Sequence, residues 1–229
     1  MKWTTFNLTI SNAHLLRGSR PILVDSGPPG SFKKLCENLL SEGVAPKELG
    51  AVLLTHGHAD HAGTAAEFLD EGVPVLLGAG DLPLAERGKN PDVRSTGLTA
   101  RALRPFLPWT YPAFTPTTLV ETSTDLSPFG LDGAMQVVGG HSLGSSVVIA
   151  DDLLLAGDLV RGGYLGGTLF KGQARIHYYS DDPASDLEKV ATLIDEHRPT
   201  WVLLGHGGPL ASDIARRRID ALLKGFRRR

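Results

Sequence analysis

The chain has 229 residues, enough for one substantial core, and its 41% hydrophobic and 21% charged residues exclude a disordered or fibrous protein. A net charge of −2 gives no general attraction to nucleic acid or an anionic membrane, and no apolar run approaches the ~20 residues that span a bilayer. The single cysteine, Cys36, rules out an internal disulfide and fits a reducing compartment; residues 1–5 carry no apolar secretory stretch, so a cytosolic protein is expected.

Phe6, Leu8 and Ile10 alternate with polar residues, the period of a half-buried strand. Residues 12–16 and 22–25 read as two further strands about the turn Gly18-Ser19-Arg20, so the chain opens as an antiparallel meander. Ser31 stands where a helix N-cap should. Phe32, Leu35, Cys36, Leu39 and Leu40 follow at the spacing of one helical face, which makes Cys36 a small core residue, and Gly43 ends the helix. Ala51–Leu54 is a continuous apolar run that reads as a buried strand. It opens directly onto Thr55-His56-Gly57-His58-Ala59-Asp60-His61, with a helix expected over 64–70 and a strand over 73–77.

The next stretch, about 78–128, holds seven of the fifteen prolines and little periodicity. A helix is expected over 93–103. Phe106, Trp109, Tyr111 and Phe114 make the segment either a lid or pocket wall, or else a satellite hydrophobic cluster or subunit contact. Order returns with a strand over 135–138 that ends just before His141. Residues 146–150 and 153–156 form a hairpin about Asp151-Asp152, and its exit presents Asp158. A glycine-rich loop (Gly162, Gly163, Gly166, Gly167, Gly172) leads to His177-Tyr178-Tyr179. Asp182 and Pro183 start a helix with Leu187, Val190, Ala191 and Ile194 on one face. The last strand, 201–204, delivers His206, and a final helix covers 212–225. Its basic end (Arg216 to Arg218, Lys224, Arg227 to Arg229) is a solvated face or a binding arm. The whole is expected to be one domain, 1–229, with an irregular insertion at about 78–128.

Three of the eight histidines and one aspartate fall in His56-Gly57-His58-Ala59-Asp60-His61. His56 and His58, two apart on extended backbone, project to one side. Imidazole and carboxylate are ligands for zinc, iron and manganese. His56, His141, Asp158 and His206 each stand shortly after a strand-like run, in four separate segments. No local rule places them so. Strand ends lying side by side on one sheet edge would bring these side chains together. His14 and His197 read as structural or exposed.

The pattern H-x-H-x-D-H, with His141 in Gly-Gly-His-Ser-Leu-Gly, Asp158 in Ala-Gly-Asp and His206 in Leu-Gly-His-Gly, resembles the metallo-β-lactamase-fold hydrolases over most of the chain. The loop around His141 departs from the family's usual Pro-Gly-His-Thr-Pro-Gly without losing a ligand. The resemblance implies a four-layer αβ/βα sandwich of α/β class. It implies one metal held by His56, His58 and His141, a second held by Asp60, His61 and His206, and Asp158 bridging the two. Asp60 and Asp158 are also assigned to catalysis. Asp25, at the end of a strand, is expected to support a ligand histidine from behind, the alternative being a simple Asx-turn. His177, Tyr178 and Trp109 are candidate substrate contacts; for the tyrosine pair the alternative is ordinary packing.

The function implied is a metal-dependent hydrolase. Two divalent ions, zinc expected with iron or manganese compatible, would lower the pKa of a shared water to about 7 and polarise the scissile carbonyl of a small ester, thioester or lactone. The glyoxalase II-type thioesterases and lactonases keep the bridging aspartate, so they are the nearer resemblance; β-lactamase activity is a further alternative. The runner-up is an oxidoreductase similar to the persulfide dioxygenases, with one iron. A small-molecule substrate is expected, without nucleic acid or membrane; the oligomeric state is not legible.

Overall fold

The computed structural model describes residues 1–92, 94–164 and 167–227. The opening meander is β1 (Trp3–Asn7), β2 (Asn12–Arg17) and β3 (Pro21–Val24), antiparallel throughout. After α1 (Phe32–Ser41) the chain returns as β4 (Ala51–Leu54), parallel to β3. Two short helices, α2 (Ala59–Ala62) and α3 (Ala65–Asp70), lead to β5 (Val75–Gly78). Helices α4 (Leu82–Arg87) and α5 (Leu98–Leu103) precede β6 (Thr118–Val120), which closes the first sheet in the order β1-β2-β3-β4-β5-β6.

The chain then crosses to the second sheet at β7 (Ser123–Asp125), followed by β8 (Ala134–Val137), β9 (Ser146–Ala150) and β10 (Leu153–Leu155). A hairpin, β11 (Arg161–Tyr164) with β12 (Leu169–Arg175), stands outside both sheets. Helix α6 (Pro183–His197), β13 (Trp201–Leu203), β14 (Leu210–Ala211) and α7 (Ser212–Phe226) complete the described residues. The second sheet runs β14-β13-β10-β9-β8-β7.

Side-chain alternation shows how the layers stack. In β4, Val52 and Leu54 pack with Leu35, Leu39 and Phe68 of α1 and α3, while Ala51 and Leu53 face Met135, Val148 and Leu155 of the other sheet. In β10, Leu154 faces Val190 and Ile219 of α6 and α7, while Leu153 and Leu155 face the first sheet. Strands covered on both faces must be apolar at every position, which is why these segments read as unbroken runs. The result is helix, sheet, sheet, helix: the four-layer α/β sandwich. Full burial of one such leucine contributes about 2 kcal/mol.

Some expectations need correction. The stripe on α1 is narrower than expected: Leu35 and Leu39 are buried, but Leu40 is exposed and Cys36 only half-buried. The Ser31 hydroxyl donates to the Pro28 carbonyl at 2.6 Å and does not cap the helix. Asp182, by contrast, accepts from the Ser185 N–H at 3.0 Å as a capping aspartate should. The helix expected over 93–103 spans only Leu98–Leu103, because Ser95 and Thr96 pair in extended form with Tyr179 and Tyr178; Val93 lies outside the described residues. The glycine-rich stretch is the β11–β12 hairpin; its Gly166 lies outside the described residues, and a Cβ on Gly162 would come within 2.4 Å of the Lys171 carbonyl. At the basic end, Arg216 pairs with Asp195 of α6, which ties the two outer helices together; Arg228 and Arg229 lie outside the described residues.

Candidate metal centre

The strands ending at Leu54, Val137, Leu155 and Leu203 open on the same edge, and their following loops carry His56, His58, Asp60 and His61, then His141, Asp158 and His206. All seven come together. His56, His58 and His141 form one group, and Asp60, His61, Asp158 and His206 a second, each with its ligand atoms within 4.8 Å of one another. Asp158 Oδ2 is the focus. It lies 3.1 Å from His206 Nε2, 3.3 Å from His61 Nε2, and 3.8 Å from both His56 Nε2 and His141 Nε2. Asp60 Oδ2 lies 3.3 Å from His206 Nε2 and 3.6 Å from His61 Nε2.

For four of the rings the opposite nitrogen fixes the tautomer. His61 Nδ1 meets Asp25 Oδ2 at 2.8 Å, His141 Nδ1 meets the Tyr179 carbonyl at 2.8 Å, and His206 Nδ1 donates to the Ile10 carbonyl. The Thr55 hydroxyl donates to Asp25, so it accepts from His56 Nδ1 at 3.0 Å. With Nδ1–H directed outward, every one of these rings turns Nε2 toward Asp158. Nitrogen lone pairs cannot face a carboxylate oxygen at such distances unless a proton or a cation lies between them.

Burial and the two charged carboxylates divide the rings. His56 and His141 are held well below the ordinary imidazole value, first by burial and then by neighbouring imidazoles. Burial also opposes the charge on His61 and His206, but Asp158 and Asp60 outweigh it: His61 rises well above its ordinary value and His206 to about 10. Burial would raise Asp60 and Asp158, yet His61 and His206 pull both down. With no metal bound, the carboxylates around them therefore favour the charged form of His61 and His206. His56 Nε2, His58 Nε2 and Asp158 Oδ1 remain buried without any hydrogen-bond partner. Buried polar atoms are rarely left so, and an imidazole–carboxylate donor set of this kind fits divalent metal ions. A Cβ on Gly205 would come within 2.1 Å of Asp158 Oδ1 and 2.6 Å of His61 Cε1, so the site closes around these atoms only with glycine there.

Asp25 sits behind the site at φ 62° and accepts from the Thr55 N–H at 2.8 Å as well as from His61. Asp81 is the residue that motif reading missed. It is buried just after β5, accepts from the N–H groups of Gly57 and Gly144 at 2.8 Å each, and takes the Ser142 hydroxyl at 2.7 Å. It thereby locks the His56–His58 loop against the His141 loop. Its signal was present, since it follows an apolar strand as the ligands do. Tyr111, placed by the sequence only within the irregular segment, holds the same loop: its hydroxyl donates to the Gly57 carbonyl at 2.6 Å. His14 is structural, bonded to Thr5 and to the Leu204 carbonyl, and His197 is exposed at the end of α6.

A pocket of about 300 Å³ opens onto Asp60, Asp158 and His206. Its apolar side is Ile10, Leu103, Phe106, Leu107 and Trp109, and His177 and Tyr178 also line it. Trp109 is held by its indole N–H to the Arg104 carbonyl at 3.2 Å. Phe114 is not part of this wall; it is buried in the core with Tyr111, and its N–H donates to the Ala85 carbonyl of α4 at 3.0 Å. The Tyr178 ring lies 3.7 Å from the Arg161 guanidinium, which steadies it at the pocket edge.

Residues 7–206 match the family model of the metallo-beta-lactamase superfamily. The chain is 28% identical over 154 residues to the probable metallo-hydrolase MJ0888 of Methanocaldococcus jannaschii, covering 66% of this chain and 67% of that protein. It is also 28% identical over 212 residues to the probable metallo-hydrolase YflN of Bacillus subtilis, covering 82% and 76%. Among solved structures, TTHA1623 in a di-iron-bound form superposes with a TM-score of 0.65 at 26% identity, over 95% of this chain and 98% of that one.

Proposed function

The chain belongs to the metallo-beta-lactamase superfamily of metallo-hydrolases, and on that footing we propose that it uses two divalent ions to cleave a small ester, thioester or lactone. The observation that carries this reading is the ring of tautomer-fixed imidazoles around Asp158 Oδ2, adjoining a pocket with an apolar wall. In the proposal His56, His58 and His141 would hold one ion and Asp60, His61 and His206 the other, with Asp158 available to both. When bound, a divalent pair supplies Lewis acidity toward the scissile carbonyl and ionises water near neutral pH.

The chain's own groups do the rest. Asp25 and the Tyr179 and Ile10 carbonyls keep the imidazoles aimed, so no reorganisation is needed when charge develops. Asp60, 16% exposed and lining the pocket, stands where it would orient the attacking water. Leu103, Phe106, Leu107 and Trp109 exclude bulk water and receive the apolar part of the substrate. Among the described residues no lysine or arginine lines this pocket, which favours an uncharged substrate over a phosphodiester.

The test is a panel of matched esters, thioesters, lactones, phosphodiesters and β-lactams offered to protein of defined metal content. Hydrolysis within the first three classes, lost on chelation and restored by metal, is expected. Cleavage of phosphodiesters or β-lactams alone would contradict the reading.

A further inference from the structure

His177, which lines the pocket, also faces Asp158. It is buried, 5% exposed, and its Nε2 lies 3.2 Å from Asp158 Oδ2, closer than the same atom of His61, His56 or His141. Its ring stands edge-on to His141 with centroids 4.5 Å apart and stacks on His206 at 5.4 Å. His177, His141 and Asp158 form a third group whose ligand atoms all lie within 4.8 Å. The orientation has the same origin as that of His141. One carbonyl, Tyr179, receives Nδ1 of His141 at 2.8 Å and Nδ1 of His177 at 3.0 Å. A carbonyl oxygen has two lone pairs, so it can fix both rings in the Nδ1–H tautomer and leave both Nε2 lone pairs facing inward. A competing arrangement has the Tyr179 N–H donating to His177 Nδ1 at 3.3 Å. That contact is longer, and it would set a ring lone pair against the carbonyl at 3.0 Å, so the first arrangement is preferred.

We propose that His177 is an additional imidazole ligand of the metal centre, joining His141 and Asp158 on the pocket side. The inference rests on the metal reading above. Its chemistry is that of a borderline-soft divalent ion bound through a neutral imidazole Nε2. A ligand placed there occupies a position that faces substrate, so the centre has fewer open positions than the motif ligands alone would leave.

Cobalt(II)-loaded full-length chain gives the test. Each ligating imidazole with an outward N–H contributes one solvent-exchangeable, hyperfine-shifted proton resonance. Wild type is compared with His177→Ala and His177→Gln, and cobalt affinity is measured by chelator competition. Loss of one such resonance in both variants, with affinity falling about 10- to 100-fold, is the expected result. Retained resonances overturn the proposal, whether affinity is unchanged (a substrate or packing side chain) or lowered (a proton donor to Asp158). Should neither variant fold, the wild-type count decides: resonances from all six of His56, His58, His61, His141, His177 and His206 support it, and from only five, with that of His177 lacking, refute it. A wild-type chain that takes up no cobalt would overturn the metal reading as well, whereas a loaded chain with unchanged resonances overturns His177 alone.

Discussion

At the scale of single residues, what stands behind the proposed ligands matters as much as the ligands themselves. Asp25 holds His61 Nδ1 and also satisfies the buried Thr55 N–H. Asp25→Ala should therefore weaken metal binding about 10- to 100-fold, measured by chelator competition, although no proposed ligand is touched; unchanged affinity would remove Asp25 from the site. Gly205→Ala should lower metal content too, because the new methyl meets Asp158 and His61. Protons give a third test. His206 is pushed up to about 10 in the metal-free chain, so it binds its proton more tightly folded than unfolded. Its contribution to stability is full below the ordinary value of about 6.5 and is lost as pH rises through about 10. Metal can use Nε2 only after that proton leaves. Metal uptake near neutral pH should release protons into a weakly buffered indicator solution, and uptake without release would contradict the protonated ring. His56, His141, Asp158 and His206 were legible because each follows an apolar strand. The Tyr179 and Ile10 carbonyls were not, since backbone acceptors leave no mark in a side-chain pattern.

At the scale of elements, the segment between β5 and β6 divides in two. Trp109 and Phe106 line the pocket, whereas Phe114 and Tyr111 pack in the core against α4. Trp109→Ala should change KM or substrate preference with the melting temperature unaltered. Phe114→Ala should cost about 3 kcal/mol of stability in denaturant titration, leaving kcat per folded molecule intact. If the two variants behave alike, the division is wrong. Sequence reading grouped these aromatics because a proline-broken stretch has no period to sort inward from outward positions. The helices α6 and α7, with regular apolar faces, were read closely, and so were the hairpin of β9 and β10 and the strands that deliver the ligands. The short strands β6 and β7 and the hairpin of β11 and β12 escaped notice. Three-residue strands carry too little alternation, and Gly162, Gly163 and Gly172 resemble a loop until a partner strand is seen.

At the scale of the whole molecule, two sheets packed face to face bring four distant segments to one edge, and that convergence is what the fold contributes to chemistry. The strands are apolar on both faces because helices cover one side and the opposite sheet the other. Layer order was legible from those unbroken runs together with the resemblance. The depth of the pocket was not, because it depends on where the irregular segment folds back. The proposed chemistry stands or falls with a pair of divalent ions held across Asp158. Elemental analysis of protein purified without added metal, beside the Asp158→Ala variant, tests it most directly. About two ions per chain are predicted for the wild type, with metal content and kcat both collapsing in the variant. One tightly bound iron per chain, with oxygen consumed on a persulfide substrate, would contradict it.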